Sequence, residues 1–299
     1  MESQRTLRRQ ISCAGIGLHS GNKVTLTLRP AAADTGIRFR RTDVGVEIPA
    51  TVGYVTSLQY ATVLGRDGAT VETVEHLLAA LVSSGIDNVI VELDHNEVPI
   101  MDGSAAPFLY LVQEAGVRRL SATRKHLKIV QPVQIADGDK RIAVYPSDHF
   151  KVTYTISFDH PLLRHQSRTE RITEQSFAEN IAAARTFGFL KEVEWMRQNG
   201  LALGGSLENA IVIGDAGVLN ALRFEDEFVR HKILDAIGDL ALLGYPLIGH
   251  VVAHRAGHAL HTALVSQLLA EREAWMLVDS PIPVMPVGAG APATARVAN

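Results

Sequence analysis

The sequence predicts an α+β protein made of two similar halves. Stretches in which polar and apolar residues alternate are typical of half-buried strands, and segments with apolar residues at helical spacing are typical of amphipathic helices. These segments follow one another as strands, helix, strand, helix, and the order repeats in the second half. A chain of 299 residues also exceeds a single small core, so one large or two medium domains are expected.

In the first half, the patterns predict strands at residues 24–29, 36–40, 44–48 and 88–93. A helix is predicted to begin at Thr70 or at Thr73, either of which suits an N-terminal cap, and to end at Gly85. A second helix is predicted at 108–116. The glycines around His19 fit neither a dinucleotide loop nor a Walker loop, so they indicate a turn between strands.

Residues 117–126 are polar and basic and are predicted to link two domains, at 1–120 and 127–280. The second domain is predicted to carry an apolar insert at about 187–213. Its other elements are strands at 127–135, 140–145, 151–158 and 248–253 and helices at 177–185, 225–243 and 257–269. Residues 281–299 are rich in Pro, Ala and Gly and are predicted to be a mobile tail.

Composition excludes several classes of function. The 29 basic and 32 acidic residues leave no cationic excess to hold a nucleic-acid backbone, so no nucleic-acid partner is expected. Cys13 is the only cysteine, which excludes an intrachain disulfide and a zinc site built from thiolates. The N-terminus lacks the pattern of a secretory signal, and the apolar runs are too short to span a bilayer. A cytoplasmic enzyme is therefore expected.

The most informative stretch is the helix predicted at 225–243. His231 and Asp235 stand four positions apart on it, so they lie on one face, one turn apart. An imidazole nitrogen and a carboxylate oxygen in this arrangement can bind the same divalent ion, and Asp239 lies near the same face as a supporting partner. An ordinary surface His–Asp pair has the same spacing, and a metal site needs a third ligand from elsewhere.

Glu75 and His76 supply the missing groups. Adjacent residues on a helix point about 100° apart, so one can hold an ion while the other faces the attacking water. Two histidines and one aspartate around an open fourth position are typical of a catalytic zinc site. Glu–His is a common dipeptide, and it becomes informative only in combination with His231 and Asp235.

Hydrolysis of an amide also needs a proton donor for the leaving nitrogen. The C-terminal part contains four histidines: His250, His254, His258 and His261. His258, at the start of a predicted helix, is the best placed of the four by local chemistry. A helix N-terminus disfavours protonation of an imidazole, so a nearby carboxylate is required to keep His258 charged, and Asp239 can supply it. A structural role remains the alternative for each of the four.

Several long motifs closely resemble the UDP-3-O-acyl-N-acetylglucosamine deacetylase family, the zinc amidases of lipid A biosynthesis in Gram-negative bacteria. The motifs are residues 73–77 (Thr-Val-Glu-His-Leu), 86–89 (Ile-Asp-Asn-Val), 99–108 (Pro-Ile-Met-Asp-Gly-Ser-Ala-Ala-Pro-Phe), 184–189 (Ala-Arg-Thr-Phe-Gly-Phe), 222–240 and 257–260 (Gly-His-Ala-Leu). The resemblance runs from the first strands to about residue 270. Only the tail and the stretch after Gln59 look specific to this sequence.

The resemblance implies two similar domains, each a sheet layered against helices in a duplicated β-α-α-β sandwich with a small insert, and an active site at their junction. It implies a zinc ion with three protein ligands: His76, His231 and Asp235. Glu75 is implied as the general base, and His258 as the general acid with Asp239 behind it.

Further roles follow from the same resemblance. Thr186 is expected to hydrogen-bond the oxyanion. Lys232 and Lys140 are expected to bind the nucleotide diphosphate. His19 is also expected to be a substrate-binding residue. Phe187 and the apolar insert are expected to form a passage for the fatty acyl chain, in which each buried methylene contributes about 0.8 kcal/mol.

The implied reaction has a small-molecule substrate. It is hydrolysis of the N-acetyl group of UDP-3-O-(3-hydroxyacyl)-N-acetylglucosamine to acetate and the free amine, the committed step of lipid A biosynthesis. A zinc amidohydrolase of a different acylated amide is the nearest alternative. A metal-free binding module, whose helices only resemble a catalytic site, is the alternative from another class. A monomer is the family's usual state.

Overall fold

The computed structural model describes residues 2–160 and 163–279. The helices of the first half are α1 (Glu75–Ser83) and α2 (Ala106–Ala115). Its strands are β1 (Ser3–Leu7), β2 (Ile11–Ile16), β3 (Lys23–Pro30), β4 (Ile37–Arg41), β5 (Val46–Pro49), β6 (Val55–Ser57), β7 (Val63–Arg66), β8 (Ala69–Val71), β9 (Val89–Leu93) and β10 (Val117–Thr123).

The helices of the second half are α3 (Glu174–Asn180), α4 (Leu190–Gln198), α5 (Glu227–Leu240) and α6 (His258–Ala270). Its strands are β11 (His126–Ile129), β12 (Val133–Asp137), β13 (Lys140–Tyr145), β14 (Lys151–Ile156), β15 (Gln166–Arg171), β16 (Phe187–Phe189), β17 (Ile211–Gly214), β18 (Gly217–Val218), β19 (Leu247–Ile248), β20 (His250–His254) and β21 (Trp275–Val278).

Each half is built on a five-stranded sheet, and the two sheets have the same topology. The strand order is β2-β3-β9-β4-β5 in the first sheet and β12-β13-β20-β14-β15 in the second. The central strand, β9 or β20, is antiparallel to the neighbour on one side and parallel to the neighbour on the other. The two halves therefore repeat one arrangement, which confirms the predicted α+β fold.

The helices of the two halves meet between the sheets. In each half one helix precedes the central strand, α1 or α5, and one follows it, α2 or α6. Helix α5 packs on β14 and β15, α6 packs on β12 and β13, and α1 packs along α5. A small three-stranded insert precedes each of α1 and α5, formed by β6-β7-β8 and by β16-β17-β18. No helix among the described residues is long and apolar enough to cross a membrane.

Helix α5 is buried almost all round, because its own sheet covers one side and α1 covers the other. Phe228, Ile233 and Leu234 are enclosed on α5, and Leu77 and Leu78 are enclosed on α1. Full burial of an apolar side chain of this size contributes roughly 1.5–3 kcal/mol. This packing stabilises a helix pair that also buries several ionisable side chains.

The prediction of a linker at 117–126 is wrong for most of that stretch. Residues 117–123 form β10, which pairs antiparallel with β1. Val117 and Leu120 are half-buried while Arg118 and Arg119 face solvent, so the basic side chains lie on the exposed side of a strand. The predicted tail at 281–299 lies outside the described residues.

Two further local predictions differ from the structure. Neither threonine caps α1, because Thr70 lies in β8 and the hydroxyl of Thr73 donates to Glu97 at 3.0 Å instead. The helix predicted at 177–185 is shifted towards the N-terminus. It begins after Thr173, whose hydroxyl accepts from the backbone N–H of Ser176 at 3.0 Å, and it ends at Asn180.

Gly238 permits a close approach of α5 to α1. A Cβ atom at this position would lie 2.0 Å from the carbonyl oxygen of Glu75, the first residue of α1. Atoms do not approach this closely without a shift of the backbone, so the distance between the two helices depends on the missing side chain.

We expect Gly238→Ala to lower the free energy of unfolding by about 1–3 kcal/mol, because the added methyl group overpacks the helix contact. Thermal or urea denaturation measures the change. Gly53→Ala is a matched control, since a Cβ there would meet no atom within 4 Å. Equal stability of the Gly238→Ala protein and the wild type would contradict the close packing described above.

Candidate active site

Two histidines and an aspartate form a buried cluster where α1 meets α5. Asp235 Oδ1 lies 3.3 Å from His231 Nε2 and 3.6 Å from His76 Nε2. One ligand atom from each of the three residues lies within 4.8 Å of the others, and no residue of the three is more than 4% exposed. The structure therefore brings together, from both halves of the chain, the three residues predicted as metal ligands.

The donor atoms of this cluster fit a divalent cation. The Nδ1–H of His231 donates to the carbonyl oxygen of Ala184 at 3.0 Å, which leaves the Nε2 lone pair facing Asp235. Asp235 Oδ2 accepts from Lys232 Nζ at 2.7 Å, whereas Oδ1 is buried without a hydrogen-bond partner among the described residues. A buried carboxylate oxygen without a partner is costly, and a cation bound between it and the two imidazoles removes that cost.

The charge states of the cluster also suit metal binding. Burial lowers the pKa of His231 to about 3, so its imidazole is neutral near pH 7. Burial alone would raise the pKa of Asp235, but His231 and Lys232 outweigh it and hold that pKa well below its usual range. Neutral imidazole and ionised carboxylate are the forms that bind metals.

Glu75 lies beside the cluster, one residue before His76. Its Oε2 accepts from the backbone N–H of Thr62 at 3.2 Å, and its Oε1 lies 3.9 Å from His258 Nε2. Burial raises the pKa of Glu75, which makes its carboxylate a stronger base than an exposed glutamate.

His258 is the first residue of α6 and forms a close pair with Asp239 of α5. Its Nδ1–H donates to Asp239 Oδ2 at 2.7 Å. Burial alone would lower the pKa of His258, but the Asp239 carboxylate raises it to about 9. Burial likewise opposes ionisation of Asp239, yet the two histidines it accepts from, His258 and His261, hold its pKa at about 2. The pair is therefore imidazolium and carboxylate near pH 7.

Asp239 accepts from two further donors that the sequence analysis did not single out. The hydroxyl of Thr62 donates to Oδ1 at 2.6 Å, and the Nδ1–H of His261 donates to Oδ2 at 2.8 Å. Burial lowers the pKa of His261, so it donates as a neutral imidazole and does not compete with His258 for the negative charge.

One of these two residues carries a recognisable pattern. His261 follows His258 by three positions on α6, which places both rings on one side of the helix. Thr62, by contrast, belongs to the stretch after Gln59, which looks specific to this sequence and contains no local motif. The Nε2 of His261 in turn lies 3.0 Å from the hydroxyl of Tyr154 on β14, another residue that was missed.

A buried ion pair orders the chain segment on the other side of the cluster. The side chain of Arg185 lies 2.9 Å from Glu227, and its backbone N–H donates to the same carboxylate oxygen at 3.1 Å. This pair flanks Ala184, whose carbonyl orients His231, and Thr186, which is half-buried. The hydroxyl of Thr186 makes no hydrogen bond within the described part of the chain, so it is available to a substrate.

Lys232 and Phe187 also lie beside the cluster. The ammonium group of Lys232 lies 5.7 Å from the centre of the Phe187 ring in addition to its contact with Asp235. The Phe187 ring packs edge-on against Phe228 and lies 6.2 Å from the ring of His231. Phe187 therefore forms an apolar wall next to His231 of the cluster.

The remaining residues predicted to bind substrate lie further out. His19 is buried and lines a pocket of about 310 Å³ together with Tyr60 and Leu201. Lys140 is exposed at the start of β13 and makes no ion pair among the described residues. The adjacent Asp139 pairs with Arg255 at 2.6 Å, which ties this hairpin to the segment just before α6.

The second insert exposes several apolar side chains. Helix α4 has no buried residue, and Trp195, Leu203 and Leu207 are about half exposed. Trp195 approaches Tyr60 of the first insert, with ring centres 6.4 Å apart. The two inserts therefore meet, and apolar side chains of the second one face outward instead of filling a core.

Together, the duplicated fold and this buried cluster define a metal-dependent hydrolase. Two histidines and an aspartate could hold a metal ion, and the Glu75 carboxylate and the His258 imidazolium lie beside them.

A family model described as UDP-3-O-acyl N-acetylglycosamine deacetylase matches residues 4–270, and the chain belongs to this family. Three relatives named UDP-3-O-acyl-N-acetylglucosamine deacetylase illustrate the similarity. That of Syntrophotalea carbinolica is 51% identical over 281 residues, covering 93% of this chain and 91% of the relative. That of Anaeromyxobacter dehalogenans is 53% identical over 278 residues, covering 92% and 90%. That of Idiomarina loihiensis is 48% identical over 303 residues, covering 98% and 99%.

We expect Thr62→Val to lower kcat/KM by roughly tenfold to a hundredfold, because it removes a hydrogen bond to the charged Asp239 carboxylate. Thr62→Ser keeps the hydroxyl and serves as the matched control, with activity near that of the wild type. The comparison uses initial rates of deacetylation at saturating metal. Equal rates for the valine and serine proteins would show that this hydroxyl does not position Asp239.

Proposed function

We propose that the chain hydrolyses the N-acetyl group of UDP-3-O-(3-hydroxyacyl)-N-acetylglucosamine and releases acetate and UDP-3-O-acyl-glucosamine, the committed step of lipid A biosynthesis. The main support is the buried cluster of His76, His231 and Asp235 beside Glu75 and His258, in a chain of the deacetylase family. The proposal includes zinc as the metal, a monomer in the cytoplasm, and domains at 1–120 and 127–280 with the active site at their junction.

Zinc suits the ligand set because it binds imidazole nitrogen and carboxylate oxygen and leaves one position open in catalytic sites. His76, His231 and Asp235 would hold it. When bound, the ion supplies a Lewis acid next to the acetyl carbonyl and the attacking water.

In this proposal two neighbouring residues, Glu75 and His258, transfer the protons. Glu75 accepts a proton from the water as its oxygen attacks the acetyl carbonyl carbon. His258 donates a proton to the nitrogen as the carbon–nitrogen bond breaks, so the sugar leaves as a neutral amine. The separation of 3.9 Å between Glu75 Oε1 and His258 Nε2 puts both groups within reach of one small acyl group.

Other residues bind and orient the substrate in this proposal. The free hydroxyl of Thr186 donates to the oxyanion that develops on the carbonyl. Lys232 and Lys140 bind the nucleotide diphosphate, and His19 lies in a pocket that also contacts the substrate. Phe187 and the apolar side chains of the second insert line the path of the acyl chain.

A direct test is acetate release from two substrates, the acylated UDP-sugar and unacylated UDP-N-acetylglucosamine. Burial of only four methylenes of the acyl chain, at about 0.8 kcal/mol each, favours the acylated substrate by roughly a hundredfold in kcat/KM. We expect at least this preference. Similar rates on both substrates, or none on either, would instead indicate an amidohydrolase of a different acylated amide.

The reaction is expected to have a bell-shaped pH dependence. Glu75 must be ionised, and since burial raises its pKa, activity falls when the pH drops through a value above 4.5. His258 must be protonated, and since its pKa is about 9, activity falls when the pH rises through that value.

Asp239→Asn removes the negative charge that raises the pKa of His258, so the alkaline limb should move to lower pH by about 1–3 units. Exposed Asp67 offers the matched control, because Asp67→Asn should leave the profile in place. An alkaline limb that stays near pH 9 in Asp239→Asn would exclude His258 as the titrating acid.

A further inference from the structure

A second, larger cleft lies between the two halves and is lined by the C-terminal ends of α1 and α5. Its volume is about 1000 Å³. Val82 and Ser83 at the end of α1 and Ile237 and Leu240 of α5 line it. A helix rises about 1.5 Å per residue, so Ser83 lies roughly 10 Å along α1 from the metal-binding end. None of the residues assigned above to catalysis or substrate binding lines this cleft.

Equivalent elements of the two halves form its walls. Ile37 at the start of β4 corresponds to Phe150, just before β14, and both line the cleft. The turn after α1 at Gly85 corresponds to the turn after α5 at Gly244, and both line it as well. The cleft is therefore a product of the duplication, and its lining does not include the residues of the candidate active site.

The walls expose apolar surface. Ile37, Val82, Phe150 and Ile172 are only half-buried, and Tyr245 is 40% exposed. Apolar surface in a concave site between two domains is typical of small-molecule binding sites.

The charged side chains that line the cleft differ in whether they have a partner. Each acidic side chain that lines it has a partner: Asp87 with Arg124, Asp148 with Lys128, Glu174 with Arg5 and Asp34 with Gln4. By contrast, Lys125 and Arg171 make neither an ion pair nor a side-chain hydrogen bond within the described residues. Burial, followed by the positive charges of Arg171 and Lys151, lowers the pKa of the nearby His149, and the carboxylate of Asp148 opposes that shift.

Two buried polar atoms without a hydrogen-bond partner belong to residues that line the cleft. Four such side-chain atoms occur among the described residues: Asp235 Oδ1, His19 Nδ1, Ser83 Oγ and His126 Nδ1. The first belongs to the metal cluster and the second to a residue that lines the pocket near Tyr60. The other two belong to residues that line the cleft, and these residues are only 8% and 6% exposed. Native proteins rarely leave such atoms unpaired, so the Ser83 hydroxyl and His126 Nδ1 are two hydrogen-bonding groups that a molecule in the cleft can use.

We propose that this cleft binds an amphipathic anion, a molecule with a hydrocarbon chain and a carboxylate or phosphate head group. The hydrocarbon packs on Ile37, Val82 and Phe150. The head group accepts from Lys125 and Arg171 at the rim, and the Ser83 hydroxyl and the His126 ring supply the neighbouring hydrogen bonds. This site is separate from the path proposed for the acyl chain of the substrate, so it does not depend on the assigned reaction.

Photolabelling of the full chain tests the proposal. The probes are tetradecanoic acid, tetradecyl phosphate and tetradecanol, each with a diazirine on the hydrocarbon, and labelled peptides are mapped by mass spectrometry. We expect the acid, the phosphate or both to label peptides that contain residues 82–88, 123–126 and 148–150. The acid represents a free fatty acid and the phosphate a phospholipid head group, so their relative labelling distinguishes the two sources. Tetradecanol should label the cleft at least roughly tenfold less, because it lacks the charge.

The double substitution Lys125→Ala and Arg171→Ala should reduce labelling of the cleft by at least roughly tenfold and leave acetate release unchanged. The matched control removes two exposed cations elsewhere, with Arg9→Ala and Lys23→Ala, and should leave the labelling intact. Labelling confined to residues 187–213, equal labelling by the alcohol, or insensitivity to the double substitution would each overturn the proposal. None of these results bears on acetate release, so they leave the assigned reaction untouched.

Discussion

The packing of α1 against α5 is the constraint on which the rest of the structure depends. Each helix precedes the central strand of its own sheet, so the duplication places equivalent helices face to face. Gly238 lets their backbones approach at Glu75, and this brings His76 of one half within 3.6 Å of Asp235 of the other. Neither half carries all three residues of the cluster, so the candidate metal site exists only where the halves meet.

Two aspartates lie four residues apart on α5, and their different hydrogen-bond partners give them different chemistry. Asp239 accepts hydrogen bonds from Thr62, His258 and His261. Its negative charge keeps the imidazole of His258 protonated. Asp235 accepts from Lys232 through one oxygen and keeps the other free, beside two imidazole nitrogens. The same residue type thus serves as an electrostatic partner in one place and offers an unpaired oxygen to a candidate metal site in the other.

Residues with a local pattern could be predicted from the sequence. His231 and Asp235 are one helical turn apart and Glu75 adjoins His76, so their chemistry was apparent before their positions were known. The repeated order of strands and helices likewise predicted the two similar halves.

Residues that reach the site through tertiary structure alone could not be predicted. Thr62 and Tyr154 lie far from α5 in the sequence, and no spacing links them to Asp239 or His261. The strand at 117–123 was missed for a related reason, since its basic side chains are explained only by the exposed face they occupy beside β1. The prediction that Thr73 caps α1 was wrong because its hydroxyl donates to Glu97, which lies 24 residues further along the chain.

The most direct measurement is acetate release from the acylated UDP-sugar by the full chain after treatment with a chelator and after addition of zinc, with His231→Ala measured alongside. A site formed by two imidazoles and one carboxylate predicts that activity is lost on chelation and restored by stoichiometric zinc, and that the His231→Ala protein neither retains zinc nor recovers. Undiminished acetate release from the chelated protein, or full zinc content in His231→Ala, would contradict the account.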